Sequence, residues 1–337
     1  MADRDVQRRR WRTLLGVAAA LTAVASSVLD TAPSRADTRV PRQNTVTAPT
    51  DSSLELALHR ALAIQVLPGG LHPSIAELDG NSAAYAGSSY EHANCDPYEY
   101  PSETSHPQPC WYGSKLSTAP VIVIFGDSFV GNWVPALDLI GRRLNFRIAD
   151  FEFDSCVTPF VEMVAGRAVV PVSNVCKAWH RHLPSSVVPL HARAVIAASG
   201  SASWGTGDAN WTAGLRIAFS MLNPKRSSVQ ILIGTGPHLA NAAPACLSGF
   251  ATKIQTCTYR YSPTGNYQHA LARDATAAQT VGVHLIRTQP WICYGRSCPE
   301  VVGDIDVYVD TEHLSVAYSK FLNLVLQSSL APLIDST

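Results

Sequence analysis

The sequence of 337 residues carries little charge: Asp, Glu, Lys and Arg together make up only 15% of it, and its formal net charge is zero. It has no internal repeat, no low-complexity tract and no block of basic residues beyond the N-terminus. These absences argue against a solenoid, a disordered chain and a protein that binds nucleic acid. Hydrophobic residues make up 46% of the chain, which is typical of a globular protein with one large domain or two ordinary ones.

The N-terminus has the pattern of an export signal. A basic segment precedes an apolar run over residues 14–29, and a small-x-small cleavage site ends at Ala36. The basic residues are Arg8, Arg9, Arg10 and Arg12. Because the apolar run is shorter than the ~20 residues that a membrane-spanning helix needs, we predict a cleaved signal peptide over residues 1–36. A retained membrane anchor is the alternative. Both interpretations place the protein in the periplasm or cell envelope, or make it a secreted protein.

Eight cysteines in an exported chain indicate disulfide bonds. Many connectivities exist, and pairing each cysteine with its neighbour in sequence is the simplest, because every bond then closes a loop. The pairs predicted in this way are Cys95–Cys110, Cys156–Cys176, Cys246–Cys257 and Cys293–Cys298. No Cys-x-x-Cys pair stands opposite another, so we predict neither a metal site nor a cofactor. His180 and His182 are expected to be solvated or loop-packing residues.

The apolar pattern predicts an α/β domain over residues 119–337, preceded by an extension. Strand-like runs alternate with helical segments, as in right-handed βαβ units around a parallel sheet. Strands are predicted at residues 120–125, 146–151, 194–198, 229–233 and 283–286, and helices at residues 130–144, 211–222, 267–281 and 316–330. Residues 37–118 combine a polar linker, a helix with Leu54 and Leu58, and a loop-like segment over residues 81–118 that is rich in Pro, Tyr and Ser. We expect this extension to pack on the main domain rather than to fold independently.

One stretch combines a buried strand with a reactive side chain. Residues 121–125 form an unbroken apolar run, and Gly126, Asp127 and Ser128 follow before a helical pattern begins. Ser128 is therefore predicted at the carboxyl end of a central strand, where open α/β sheets place their ligand sites. Backbone N–H groups at the start of the following helix can hold a developing oxyanion there. Asp127 is expected to bond N–H groups of the loop.

A serine nucleophile needs a base, and the sequence offers one just before the last helix. His313 lies three residues after Asp310, whose carboxylate can hold the imidazole in the tautomer that accepts the Ser128 proton. The sequence leaves other candidates for these two roles, namely Asp304, Asp306 and His238.

The GDS motif at residues 126–128 and the Asp-x-x-His-Leu-Ser ending at residues 310–315 resemble the SGNH (GDSL-type) hydrolase superfamily. The chain is most similar to the SGNH domains that are fused to, or work beside, membrane acyltransferases of acyltransferase family 3. Those domains share a GDS-x-x-x-x-W-x-P-A-L pattern, here residues 126–137, and a Ser-Cys pair after the second strand, here Ser155-Cys156. The resemblance extends from about residue 95 to the C-terminus.

The resemblance implies a three-layer α/β/α, flavodoxin-like fold with a parallel sheet of about five strands in the order 2-1-3-4-5. It implies a serine-dependent acyl-transfer enzyme, an O-acetyltransferase or acylesterase that acts on acyl esters of cell-envelope glycans through Ser128, His313 and Asp310. The expected substrate is an acylated carbohydrate or another acyl donor. Because the chain lacks the membrane helices of family 3, a transferase would need a separate membrane acyltransferase to deliver the acyl group.

The oxyanion hole is where this sequence departs from the superfamily. The superfamily usually supplies a glycine and an asparagine from two further segments, and neither follows the second and third strands here. We expect the backbone N–H groups of Ser128 and Ser155 to serve as donors. Trp204 is expected to contact the substrate, whereas Trp133 is expected to be a core residue. The departure leaves open a catalytically weak glycan-binding or accessory module. A secreted lipid esterase is a further alternative function.

Overall fold

Six strands form the central sheet of the computed structural model, which describes residues 50–78, 106–164 and 172–335. In chain order the strands are β1 (Cys110–Gly113), β2 (Val121–Gly126), β3 (Arg147–Glu152), β4 (Ala194–Ala198), β5 (Val229–Ile233), β6 (Tyr259–Arg260), β7 (His284–Ile286), β8 (Ser297–Cys298), β9 (Val301–Val302) and β10 (Ile305–Asp306). The central sheet has the order β1-β3-β2-β4-β5-β7, and only the β1–β3 pair is antiparallel. Two small antiparallel sheets join β6 to β8 and β9 to β10.

The five predicted strands are all present within one residue at each end. Counted along the chain, these five lie in the expected order 2-1-3-4-5. The prediction of a loop over residues 81–118 is wrong for Cys110–Gly113, which forms β1 and pairs with β3 at the edge of the sheet. Four residues between proline- and serine-rich segments carry too short a pattern to predict a strand, and the pairing depends on a distant partner.

Ten helices accompany these strands in the described part of the chain. They are α1 (Asp51–Ala61), α2 (Ile75–Leu78), α3 (Val134–Leu144), α4 (Asn174–Val187), α5 (Asp208–Leu222), α6 (Ala243–Gly249), α7 (Asn266–Val281), α8 (Gln289–Ile292), α9 (Val316–Phe321) and α10 (Asn323–Asp335). The helix predicted at residues 130–144 begins later, because a 3₁₀ turn at Ser128–Val130 precedes it. Helix α4 is not among the predicted helices; Ser173 caps it by accepting a hydrogen bond from the Cys176 N–H.

β2 is buried along its whole length because helices cover both faces of the sheet. Ile122 and Ile124 belong to an apolar cluster that includes residues of α1, α3, α9 and α10. Val123 and Phe125, which point to the other face, belong to a second cluster with residues of α4, α5 and α7. This three-layer arrangement explains why the strand is a continuous run of apolar residues rather than an alternating one.

The described residues all lie within one compact unit, Val46–Thr337. Leu54 and Leu58 of α1 are buried in the same cluster as β2. The predicted signal peptide, residues 1–36, lies outside the described residues, and the predicted division at residue 118 stays a prediction. Among the described helices, none combines the length and apolar character needed to cross a membrane.

Three of the four predicted disulfides are present, Cys156–Cys176, Cys246–Cys257 and Cys293–Cys298. Cys110 is also disulfide-bonded. Its predicted partner, Cys95, lies outside the described residues. The Cys156–Cys176 bond ties the loop after β3 to the first turn of α4.

Candidate active site

Ser128 lies directly after β2, at the start of the 3₁₀ turn that leads to α3. Gly126 ends the strand with φ +149°, and a Cβ there would overlap the carbonyl oxygen of Ala198. Asp127 caps the turn, because its Oδ1 accepts a hydrogen bond of 3.0 Å from the Phe129 N–H. The local sequence thus turns the chain sharply at the carboxyl end of the central strand, as predicted.

Three side chains from the two ends of the domain form a continuous hydrogen-bonded chain. The Oγ of Ser128 lies 2.8 Å from Nε2 of His313, and Nδ1 of His313 lies 2.7 Å from Oδ2 of Asp310. Oδ1 of Asp310 accepts hydrogen bonds of 2.8 Å from the N–H groups of Glu312 and His313. The serine and the carboxylate therefore occupy opposite nitrogens of one imidazole, which is the geometry that proton transfer from serine to histidine requires.

The surroundings of His313 raise its pKa above 6.5. Burial would by itself lower the pKa of His313, but the hydrogen bond and charge of Asp310 outweigh it, with smaller contributions from the charges of Glu312 and Asp154. Burial would by itself raise the pKa of Asp310. Its hydrogen bond to His313 and the neighbouring N–H donors outweigh burial, so the pKa of Asp310 lies below its ordinary value. Asp310 is thus an anion that favours a positively charged His313.

Asn132 joins the serine turn to the histidine turn. Its side chain is buried, and its Oδ1 accepts a hydrogen bond of 2.8 Å from the Leu314 N–H. Ser315 caps α9 by accepting a hydrogen bond from the Tyr318 N–H. The sequence analysis does not single out Asn132, because its partner is 182 residues away. No local sequence pattern indicates that an asparagine will hydrogen-bond to so distant a segment.

Asp127 connects the serine turn to the loop after β4. Its buried carboxylate accepts hydrogen bonds from Ser199 Oγ, from the Gly200 N–H at 3.1 Å and from the indole Nε1–H of Trp204 at 2.8 Å. Burial raises the pKa of Asp127, although these hydrogen bonds oppose the shift. The predicted role of Asp127 in bonding loop N–H groups is therefore confirmed, and Trp204 is a half-buried ring held by the same carboxylate.

The same loop is held from its other side by two residues of α7. Arg273 donates to the carbonyl oxygens of Ser201 and Trp204, and its guanidinium lies over the ring of Trp211. Asp274 accepts a hydrogen bond of 3.0 Å from Ser201 Oγ, and burial raises the pKa of Asp274 to about 6. The loop that contains Trp204 is therefore fixed on both sides.

The predicted oxyanion donors lie near this turn, at the ends of β2 and β3. Ser155 is exposed and has φ +58°, and the neighbouring Phe153 N–H donates to the carbonyl oxygen of Gly126 at 2.9 Å. The Gly200 N–H is already bonded to Asp127. Donation by the Ser128 and Ser155 N–H groups stays a prediction.

The residues that the sequence offers as alternatives to Asp310 and His313 lie outside the hydrogen-bonded chain of Ser128, His313 and Asp310. Asp306 is buried, accepts from the Tyr308 N–H and has its pKa raised to about 8 by burial, while Asp304 is half-buried. His238 is half-exposed and bonds Glu312 rather than Ser128.

The interpretation of His180 as a loop residue is wrong, because it lies in α4, fully buried, with Nδ1 2.8 Å from Glu162. His182 also lies in α4.

Two groups of side chains in the described residues bring potential metal ligands within 4.8 Å of one another. They are Cys156, Cys176 and His180, and Cys246, Cys257 and Glu300. Both groups contain a disulfide, and a disulfide has no thiolate to offer a metal ion.

Trp133 is buried against Trp291, so it is a core residue, as predicted.

Comparison with solved structures supports the fold. The periplasmic domain of a lipopolysaccharide acetyltransferase from Salmonella serovar Paratyphi A superimposes with a TM-score of 0.52 at 15% identity, over 64% of this chain and 85% of that one. An aryl esterase of M. smegmatis (TM-score 0.40, 15% identity, 64% of this chain and 100% of that one) is also similar. The carbohydrate acetylesterase Est24 of Sinorhizobium meliloti is similar as well (TM-score 0.39, 12% identity, 64% of this chain and 99% of that one).

No curated protein matches the sequence of this chain. The protein-family profile described as "SGNH domain (fused to AT3 domains)" matches residues 94–327, more than half of the chain. The matched region includes the serine turn, the sheet and the histidine turn described above. The chain therefore belongs to the family of SGNH domains found fused to AT3 domains.

Proposed function

We propose that this protein is an exported enzyme that transfers short acyl groups to or from the sugars of cell-envelope glycans. The observation that carries the proposal is the hydrogen-bonded chain from Ser128 through His313 to Asp310. An isolated serine at a turn has many structural roles. A serine bonded to an imidazole that is bonded in turn to an anionic carboxylate is arranged for nucleophilic catalysis.

In the proposed reaction Ser128 attacks the carbonyl carbon of an acyl ester while Nε2 of His313 takes the hydroxyl proton. The bond between the carbonyl carbon and the leaving alcohol then breaks, and His313 returns the proton to that alcohol. The acyl-serine ester that remains is attacked by water or by a sugar hydroxyl, whose proton passes to His313 and then back to Ser128. Asp310 keeps the imidazole in the required tautomer and stabilises its charged form in both halves of the reaction.

The negative charge on the carbonyl oxygen needs donors in both steps. The backbone N–H groups of Ser128 and Ser155 are our candidates, because an asparagine donor is missing from the segment after β4. Loss of a single oxyanion donor costs about 3 kcal/mol in other enzymes. A site with fewer donors stabilises the oxyanion of both steps less, so we expect slow turnover whether water or a sugar hydroxyl attacks the acyl-serine.

The family and one solved structure with the same fold support the substrate class that we propose. The Salmonella relative is a lipopolysaccharide acetyltransferase domain, and its fold is shared by this chain. We infer an acylated carbohydrate, or an acyl donor paired with a carbohydrate acceptor, as the substrate. The family's fusion to AT3 domains favours a separate membrane acyltransferase as the partner that delivers the acyl group to Ser128.

Product analysis tests the proposal. The purified mature protein is given p-nitrophenyl acetate and a neutral envelope glycan, and p-nitrophenol, free acetate and acetylated glycan are measured. We expect p-nitrophenol from the wild type, none from Ser128→Ala, and an unchanged yield from Ser220→Ala, which alters an exposed serine of α5.

The products distinguish the alternatives. Acetylated glycan identifies a transferase, and free acetate from acetylated glycan identifies an esterase. Activity confined to long-chain lipid esters would replace our proposal with a lipid esterase. Glycan binding that survives Ser128→Ala, with no release of p-nitrophenol by the wild type, would replace it with an accessory module.

A further inference from the structure

A second cluster of polar side chains lies beside the histidine turn, and none of its members belongs to the Ser128–His313–Asp310 chain. Glu312, the residue before His313, accepts a hydrogen bond from Ser203 Oγ at 2.7 Å, and its Oε2 lies 2.8 Å from Nδ1 of His238. Ser203 Oγ lies 3.4 Å from the same Nδ1. We call Ser203, His238 and Glu312 the rim cluster.

The rim cluster is not a second catalytic triad. In a triad the serine and the acid occupy opposite nitrogens of the imidazole, whereas Ser203 and Glu312 both contact Nδ1 of His238. In the neutral imidazole with Nδ1–H donated to Glu312, the Nε2 atom of His238 is a hydrogen-bond acceptor. This atom makes no hydrogen bond with any described residue. The His238 side chain is 50% exposed and that of Glu312 is 22% exposed, so the cluster opens to solvent.

The rim cluster is fixed relative to the active serine. The Leu239 N–H donates to the carbonyl oxygen of Thr311 at 2.6 Å, which ties the segment of His238 to the segment of Glu312. Ser203 precedes Trp204, whose ring is held by Asp127 beside the serine turn. Hydrogen bonds thus hold together the segments that carry the acceptors of the rim cluster and the half-buried ring of Trp204.

We propose that the rim cluster and Trp204 form the subsite that binds the sugar whose hydroxyl gains or loses the acyl group. Adjacent hydroxyls of a pyranose donate to the His238 Nε2 and the Glu312 carboxylate, and an apolar face of the ring packs on Trp204. The negative charge of Glu312 favours a neutral sugar over a uronic acid or a phosphorylated one. This inference rests on the proposed function, since it names the binding site of that reaction's glycan.

The test measures KM and kcat for a neutral glycan, as acetyl acceptor or as acetylated ester, with the His238→Ala and Ser203→Ala variants of the mature protein. We expect KM for the glycan to rise about tenfold in His238→Ala, the effect of losing a hydrogen bond to a charged or strongly polar group. Because the cluster binds sugar and does not touch the acyl group, kcat should change by less than KM. His269→Ala, an exposed histidine of α7, is the matched control and should leave KM as it is.

The outcomes separate this inference from the proposed function. Release of p-nitrophenol by the wild type reports acyl-enzyme formation without any glycan. If it occurs while His238→Ala and Ser203→Ala keep the wild-type KM for glycan, the rim subsite is wrong and the proposed function stands. If the wild type releases p-nitrophenol but does not process glycans, the glycan substrate of the proposed function is wrong and the rim subsite is wrong with it. Tighter binding of uronic-acid glycans than of neutral ones would also overturn it. If the wild type releases no p-nitrophenol, the proposed function itself fails.

Discussion

At the scale of single residues, the protonation of His313 controls the proposed reaction. Only the neutral imidazole accepts the Ser128 proton, and the net effect of burial and of Asp310 is a pKa above 6.5. As pH falls through that pKa, kcat/KM for p-nitrophenyl acetate should decline, approaching about tenfold per pH unit well below it. A pH–rate profile checks this expectation. An acid limb at or below the pKa of a free histidine would contradict it.

Glu312 is expected to set part of that pKa. Its charge raises the pKa of His313, so Glu312→Gln should lower the pKa and move the acid limb of the profile to lower pH. Glu77→Gln, in the short helix α2, is the control with a matched change of charge. If Glu312→Gln leaves the acid limb where it is, the electrostatic role assigned to Glu312 is wrong.

Asp127 is expected to contribute more to stability than an ordinary carboxylate. It accepts hydrogen bonds from the backbone and side chains of two loops, and Asn in its place would turn an N–H₂ group toward these donors. We expect Asp127→Asn to lower the free energy of unfolding by about 2 kcal/mol and to slow acylation of Ser128. Urea unfolding measures the loss, with Asp208→Asn at an exposed position as control. Equal stability of the two variants would contradict the role.

At the scale of elements, the disulfide between Cys156 and Cys176 links the Ser155 loop to α4. Its half-cystines are 20 residues apart, against 5 for Cys293 and Cys298. Because a bond that closes a longer loop removes more entropy from the unfolded chain, the Cys156→Ala/Cys176→Ala double variant should lose about 3 kcal/mol of stability. The Cys293→Ala/Cys298→Ala double variant should lose less. Thermal unfolding compares them, and the reverse order would contradict this expectation.

Elements buried on both faces were the most predictable from sequence. β2 and β4 are continuous apolar runs, and β5 is apolar except for Gln230, because helices cover both sides of the sheet. β1 lies at the edge and depends on pairing with β3, so its four residues carry no comparable pattern. Helix α4 contains a polar His-Arg-His segment and Pro184. These residues make its apolar face, which consists of Cys176, Trp179 and Leu183, difficult to recognise in the sequence.

At the scale of the whole molecule, the candidate site joins segments 185 residues apart. Ser128, Asp310 and His313 could be proposed from sequence because each lies in a short motif next to a recognisable strand or helix. Ser203, His238 and Glu312 could not be grouped in that way. Their loops meet only because β4 and β5 are neighbours in the sheet and the chain returns beside them after β10. Tertiary packing, not local sequence, creates that cluster.

The central claim is that Ser128 is a nucleophile activated by His313. The most direct test is to label the purified protein with a fluorophosphonate and to locate the adduct by peptide mass spectrometry. We predict an adduct on the Ser128 peptide of the wild type, its loss in His313→Ala, and its retention in His269→Ala. A folded wild type that takes no label at Ser128, or a His313→Ala variant that labels as fast as the wild type, would contradict the claim.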